Sequence, residues 1–171
     1  MTNIALPEID QSILAKKATI ISNLKKITNS ENVLSEDDEV KAYETDSLLA
    51  YKQKPLVVVL PENTLEVSKI LKYCNENKIK VIPRGAGTGL SGGALPLQDG
   101  VLISLGKFNK ILEVDFDNNC VVTQPGVTNL SITQSVQHKD LYYAPDPSSQ
   151  IVCSIGGNVA ENSGGVHSLK Y

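Results

Sequence analysis

Pro83-Arg84-Gly85-Ala86-Gly87-Thr88-Gly89-Leu90-Ser91-Gly92-Gly93-Ala94 places five glycines within nine residues. A plain turn has no use for so many. Glycine adopts positive φ at little steric cost and lets the backbone come close to a bound group. Successive backbone N–H groups can then form a concave nest for an anion. Thr88 and Ser91 add hydroxyl donors. The stretch reads as a cradle for a phosphate or pyrophosphate, against the blander alternative of a flexible surface loop.

Two common cradles can be tested on the residues that follow. A P-loop ends in Gly-Lys-Ser/Thr, and no lysine occurs between Arg84 and Gly106. The dinucleotide fingerprint G-x-G-x-x-G is met formally by Gly87, Gly89 and Gly92, with Glu113 as an acid farther on. That motif has to open a helix that crosses to the next parallel strand. Here only Ala94-Leu95-Pro96-Leu97-Gln98-Asp99-Gly100 separates the loop from the next strand, and Pro96 and Gly100 oppose a helix. The chain is expected to return directly to a strand, leaving loop backbone to take the anion.

Outward from the loop, Lys80-Val81-Ile82-Pro83 reads as the strand that feeds it. Before it, the spacing of Val67, Ile70, Leu71 and Cys74 predicts a helix over 64–77, with Asn63 and Glu66 at capping-box spacing. The β-branched run at 56–60, between Pro55 and Pro61, predicts a buried strand. Strand, helix and strand make a compact βαβ unit. Upstream, Ile13, Ile20, Ile21, Leu24 and Ile27 predict an amphipathic helix over 8–28, and Thr28 to Asp46 reads as a polar connector. The acidic run Glu36-Asp37-Asp38-Glu39 within it reads as a solvated turn or helix start.

Downstream, strands are expected at 101–105, 111–116 and 120–124, the last two joined by a turn at Asp117-Asn118-Asn119. A weaker helical segment covers 128–139, and Tyr142 to Gln150 is irregular. The fold class is α+β: a βαβ unit followed by antiparallel pairs.

A second polar constellation follows. Pro145 and Pro147 fix the backbone on either side of Asp146, and Ser148 and Ser149 offer hydroxyls. Ile155-Gly156-Gly157-Asn158-Val159-Ala160-Glu161-Asn162 then allows close approach at a helix start. Two such segments in one small domain suggest one extended ligand between them. The alternative is a turn and a capped helix.

Composition narrows the class. A net charge of −3 argues against a nucleic-acid footprint. Cys74, Cys120 and Cys153 form no C-x-x-C pair, so neither a disulfide framework nor a structural zinc site is expected. Reduced thiols suit a cytosolic protein. Met1 to Pro7 lacks the features of a signal peptide, and no apolar run approaches a membrane span. No metal site is expected. His138 reads as a surface residue and His167 as structural.

The motifs together resemble a known family. Arg84 to Ala94, Gln124-Pro125-Gly126-Val127, Tyr143 to Gln150 and Ser154 to Asn162 look like the FAD-linked oxidases of the vanillyl-alcohol-oxidase superfamily, which carry a PCMH-type FAD-binding domain. Within it, the chain is most similar to the D-subunit group of bacterial glycolate oxidases, beside D-lactate and D-2-hydroxyglutarate dehydrogenases.

The resemblance implies that residues 1–50 form an N-terminal helix and connector. Residues 51–171 would form the first subdomain and the start of the second, with the domain and a cap continuing beyond. Pro83, Arg84, Gly85, Ala86, Gly87, Thr88, Gly89, Leu90, Ser91 and Gly92 would hold the pyrophosphate. Pro125, Gly126, Pro145, Asp146, Ser148 and Ser149 would line the cofactor. Ile155, Gly156, Gly157, Asn158, Glu161 and Asn162 would contact its flavin, ribityl or phosphate parts. No His or Cys lies between Arg84 and Phe108, which points to noncovalent FAD.

The implied reaction is oxidation of a 2-hydroxy acid, glycolate or D-lactate, to the 2-oxo acid by hydride transfer to FAD. Its catalytic groups would come from the cap, so none is expected in this stretch, which should not turn over substrate alone. Further subunits, an iron–sulfur one among them, are implied, with a cytoplasmic location peripheral to the inner membrane. The alternatives are an oxidase of another alcohol or sugar on the same scaffold, and a non-catalytic nucleotide-binding module.

Overall fold

The computed structural model describes residues 7–170. Residues 1–6 of the stretch read for a signal peptide, and Tyr171, lie outside the described residues.

The centre is a sheet in the order β1-β2-β4-β3, formed by β1 (Val33–Leu34), β2 (Val57–Val59), β3 (Lys80–Arg84) and β4 (Gly100–Ser104). The expected βαβ unit is present, with α4 (Thr64–Glu76) linking β2 to β3. The reading of the next strand needs correction. β4 does not form an antiparallel pair: it enters between β2 and β3 and runs parallel to both, with Leu102 beside Val58 and Ile82. A parallel return needs a connection of about a dozen residues or more. Residues 85–99 supply it without a helix.

The inner strands are buried on both faces, as a covered parallel sheet requires. On one face Val57, Val59, Val101 and Ile103 pack with Ile20 and Leu24 of α2 (Lys17–Ile27) and with Ile70 and Cys74 of α4. On the other, Val58, Ile82 and Leu102 pack with Val40 of α3 (Asp37–Lys41) and with Tyr43 and Leu97. Leu71, read as part of the α4 apolar face, is exposed. The buried stripe is centred between Ile70 and Cys74, which leaves Leu71 at its solvent edge.

The connector at 28–46 holds more structure than its polarity suggests. Val33 pairs with Val59 as a short antiparallel edge. The acidic run starts α3: the Glu39 carboxylate accepts from the Ser35 and Glu36 N–H groups at 3.0 and 3.1 Å. The first helix is also interrupted. α1 (Gln11–Leu14) and α2 are separated where Lys16 N–H bonds back to Ile13 O, a tightened turn. Asn63 caps α4 as expected, accepting from Glu66 N–H at 3.0 Å, while the Glu66 side chain takes the Glu62 N–H at 2.9 Å.

Beyond the main sheet, β5 (Ile111–Asp115) and β6 (Cys120–Thr123) form the expected antiparallel hairpin. α5 (Asn129–Val136) ends in a 3-10 turn over Gln137–Lys139, and α6 (Ile155–Ala160) follows the irregular segment.

The N-terminal helices are tied to the sheet by one carboxylate. Asp99 is 2% exposed, and its Oδ2 accepts from Lys80 Nζ and from Asp10 N–H, each at 2.8 Å. Burial alone would raise its pKa; the Asp10 N–H and the Lys80 ammonium outweigh that and hold it below the ordinary carboxylate value.

Asp99→Asn should therefore cost about 1–3 kcal/mol at neutral pH, measured by urea unfolding. Folding lowers this pKa, so the stabilisation is complete above the unfolded value of about 3.9 and is lost as pH falls through the folded one. Wild type and variant should converge there; a gap independent of pH would show that the charge is irrelevant.

Burial also pushes the Cys74 thiol up to about 11. Cys153 is buried too, whereas Cys120 is exposed. A thiol reagent should label Cys120 first in the native protein, and all the thiols only after denaturation.

Candidate functional site

The glycine loop leaves the carboxyl end of β3, the end at which open parallel sheets place their ligands. Pro83, Arg84, Gly85, Ala86, Gly87, Thr88, Gly89 and Leu90 form one wall of a cleft of about 550 Å³. Pro125, Ser149, Gly156, Gly157, Asn158 and Glu161 also line it, so the two polar constellations meet.

The loop's donors are open. None of the backbone N–H groups from Gly85 to Ser91 donates a hydrogen bond among the described residues. The loop is instead held through its carbonyls. Gly87 O accepts from Ser47 N–H at 3.0 Å and from Ser47 Oγ at 3.2 Å. Gly87 adopts φ +73° and crosses over Arg84, whose Nη2 would lie 2.3 Å from a Cβ at that position.

Arg84 is placed with care. Its Nη1 donates to Thr45 O at 2.7 Å, and its guanidinium stands 5.6 Å from the centre of the Tyr43 ring. Burial lowers its pKa, with Asp46 and Tyr43 opposing the effect, and it remains a cation. Asp46 is itself buried; its Oδ1 accepts from Leu48 N–H at 2.8 Å, while Oδ2 has no hydrogen-bond partner.

The opposite wall is built by close backbone approach. Ser154 Oγ accepts from Gly157 N–H at 3.3 Å and caps α6. A Cβ on Gly85 would stand 2.2 Å from that hydroxyl oxygen. Gly156 N–H bonds to Pro125 O at 2.8 Å, and a Cβ there would meet the Pro125 ring at 2.7 Å.

An open row of N–H donors, a cation beneath it and glycines where side chains would intrude all fit a diphosphate. Glu161 is the sole acidic side chain among the lining residues. Asn158 Nδ2 is buried without a partner.

The remaining residues named from the sequence lie off the cleft. Ser91 and Gly92 stand back from the lining between Leu90 and Gly93, Gly92 at φ +77°. Gly126 is packed under the carbonyls of Leu105 and Phe108. Pro145 O accepts from Asn129 Nδ2 at 2.9 Å, and Asp146 turns toward His167. Ser148 is exposed. Ile155 lines a separate apolar cavity beneath the β5–β6 hairpin, and Asn162 follows α6 at φ +52°.

Gly93, Ala94, Leu105, Cys153, Ser154, Ala160 and Ser163 also line the cleft. Ser154 had a readable signal, a serine three residues before Gly157 at a helix start. Leu105 and Cys153 had none, because only tertiary packing carries them there. Among the described residues no cluster of His, Cys, Asp and Glu could hold a metal ion, and no helix is long and apolar enough to cross a membrane.

The glycines differ in what they tolerate. A Cβ on Gly126 would stand 2.2 Å from Leu105 O and 2.8 Å from Phe108 O, both backbone atoms. Gly126→Ala should destabilise the fold by about 1–3 kcal/mol. The space beside Gly89 is open except for Glu161 Oε1 at 3.8 Å. Gly89→Val should leave stability within about 0.5 kcal/mol while filling the cleft. Equal losses of thermal midpoint in the two variants would refute this distinction.

Comparison with known proteins agrees with the geometry. The model of the FAD binding domain family matches residues 55–171. Glycolate oxidase subunit GlcD of Escherichia coli (strain K12) is 49% identical over 167 residues, covering 98% of this chain and 32% of that protein. D-lactate dehydrogenase of Anaerostipes hadrus is 42% identical over 153 residues, covering 89% of this chain and 32% of that protein. The chain thus spans about a third of the length of these curated relatives. A solved alkyldihydroxyacetonephosphate synthase shares the fold at a TM-score of 0.80 and 22% identity, covering 99% of this chain and 32% of that one. The chain belongs to the FAD binding domain family.

Proposed function

We propose that this chain is the FAD-binding part of a flavin-dependent dehydrogenase or oxidase that acts on a 2-hydroxy acid of the glycolate or D-lactate type. The observation that carries the proposal is the row of undonated N–H groups from Gly85 to Ser91, set over Arg84 in a member of an FAD-binding family. The names of the glycolate oxidase and D-lactate dehydrogenase relatives support the substrate class.

In this reading the loop N–H groups and Thr88 bind the pyrophosphate. Arg84 offsets its charge from beneath and keeps the loop in shape. Gly156 and Gly157 let the cofactor approach the second wall, where Ser149 and Asn158 offer polar contacts. Bound there, FAD supplies the two-electron oxidation of the hydroxy acid to the 2-oxo acid.

We take attachment to be noncovalent. Cys153 reaches the cleft wall but is 3% exposed, a poor position for a flavin-linking thiol. Free cysteines accord with a cytoplasmic protein. The word subunit in the Escherichia coli relative's name supports assembly with further subunits. An iron–sulfur partner and a place at the inner membrane rest on the family resemblance.

Titration of the full chain with FAD should quench flavin fluorescence to saturation, while NAD in parallel binds nothing. Gly89→Val should abolish the quenching at unchanged stability. Once the chain is joined to the cap that the resemblance implies, glycolate or D-lactate should bleach the visible flavin band of the holoprotein under anaerobic conditions. Bleaching by no 2-hydroxy acid would overturn the substrate class. Acid precipitation should leave a colourless pellet, and a yellow one would mean a covalent flavin.

A further inference from the structure

Part of the cleft's rim is formed by two segments outside the sheets, an irregular one at 142–152 and one at 163–169 that ends in the 3-10 turn Val166–Leu169. Residues 142–152 bring Ser149 to the cleft, and residues 163–169 bring Ser163. Through Leu169, no backbone hydrogen bond joins them among the described residues. They meet at a pair of side chains. His167 Nδ1 stands 3.0 Å from Asp146 Oδ2, and the His167 N–H reaches Asp146 Oδ1 at 3.5 Å.

The surroundings hold this pair in place. The Tyr142 ring lies 5.5 Å from the His167 ring, tilted by 50°. Pro145 and Pro147 fix the backbone on either side of Asp146. Gly165 runs so close that a Cβ would meet Asp146 O at 2.1 Å and Oδ1 at 2.2 Å. Nδ1 is buried and stands against Asp146 Oδ2 as a close polar contact without hydrogen-bond geometry.

We propose that Asp146 and His167 form a clasp that sets the spacing of this rim and so positions the wall against which FAD lies. His167 is then a positioning residue and not a cofactor contact. The clasp also accounts for the place of Asp146 outside the cleft lining: its carboxylate is committed to His167. This inference rests on the FAD reading of the cleft.

The test uses the full chain as wild type, H167L, H167N, D146N and the D146N/H167L double variant. FAD affinity is measured by fluorescence quenching, and the flavin environment by visible circular dichroism. H167L and D146N should each weaken binding by about tenfold, and the double variant should be no weaker than the worse single one. H167N places an amide N–H near the position of Nδ1 and should restore both the affinity and the dichroism of the wild type. That rescue separates positioning from bulk packing.

Should H167L fail to fold, D146N and H167N carry the same comparison, since D146N nearly preserves shape. Additive losses, or variants with wild-type affinity and dichroism, overturn the clasp. A wild-type chain that binds no FAD moves the same comparison to the protein carrying the rest of the domain, where a second failure overturns the cofactor reading and the clasp's role with it.

Discussion

The glycine loop is held at Gly87, by Ser47 from outside the cleft lining and by Arg84 from within it. Ser47 takes the Gly87 carbonyl through both its N–H and its hydroxyl, and the Arg84 guanidinium fills the space under Gly87. With the Gly87 carbonyl held by Ser47, the N–H groups from Gly85 to Ser91 stay undonated among the described residues. Unpaired backbone donors are costly when buried, so such a row persists only where a ligand or water can reach it. The connector before β2 thereby helps define the site, although none of its residues lines the cleft.

That arrangement depends in turn on the order of the strands. β4 enters between β2 and β3, and its continuation Leu105 N–H bonds to Arg84 O at 3.0 Å. The first residue of the loop and the floor of the cleft are therefore two ends of one ladder. The N-terminal layer is secured at the other end of the same strands, where Asp99 gathers Lys80 and the Asp10 N–H. A single connection, residues 85–99, serves the cradle at one end and the anchor at the other.

The glycines have several uses. Gly87 and Gly92 supply positive φ. Gly85, Gly126 and Gly156 supply room, because backbone or a capping hydroxyl occupies the place of a side chain. Gly89 supplies openness. This division explains why Gly126 appears in the sequence beside true cleft residues and yet packs beneath Leu105 and Phe108.

The sequence by itself determined the elements and the chemistry of the loop. A β-branched run between prolines marked β2, apolar periodicity marked α4, the Asn63 cap marked the start of α4, and glycine spacing marked the anion cradle. Pro96 and Gly100 excluded a crossover helix after it. These readings rest on local rules: rotamer and φ preferences, and the spacing of apolar side chains. The motif resemblance reached the family for the same reason, since close approach to a cofactor limits which residues fit.

Tertiary structure alone decided the rest. The position of β4 depends on which strand edge the chain reaches after residues 85–99, and no local preference encodes that. The two-residue strand β1 is too short to show a period. The burial of Arg84 beneath the loop, and the turning of Asp146 to His167, depend on residues far apart in the chain. Long-range packing sets such pairs, because many side chains could satisfy the same local pattern and only the assembled sheet brings particular ones within contact.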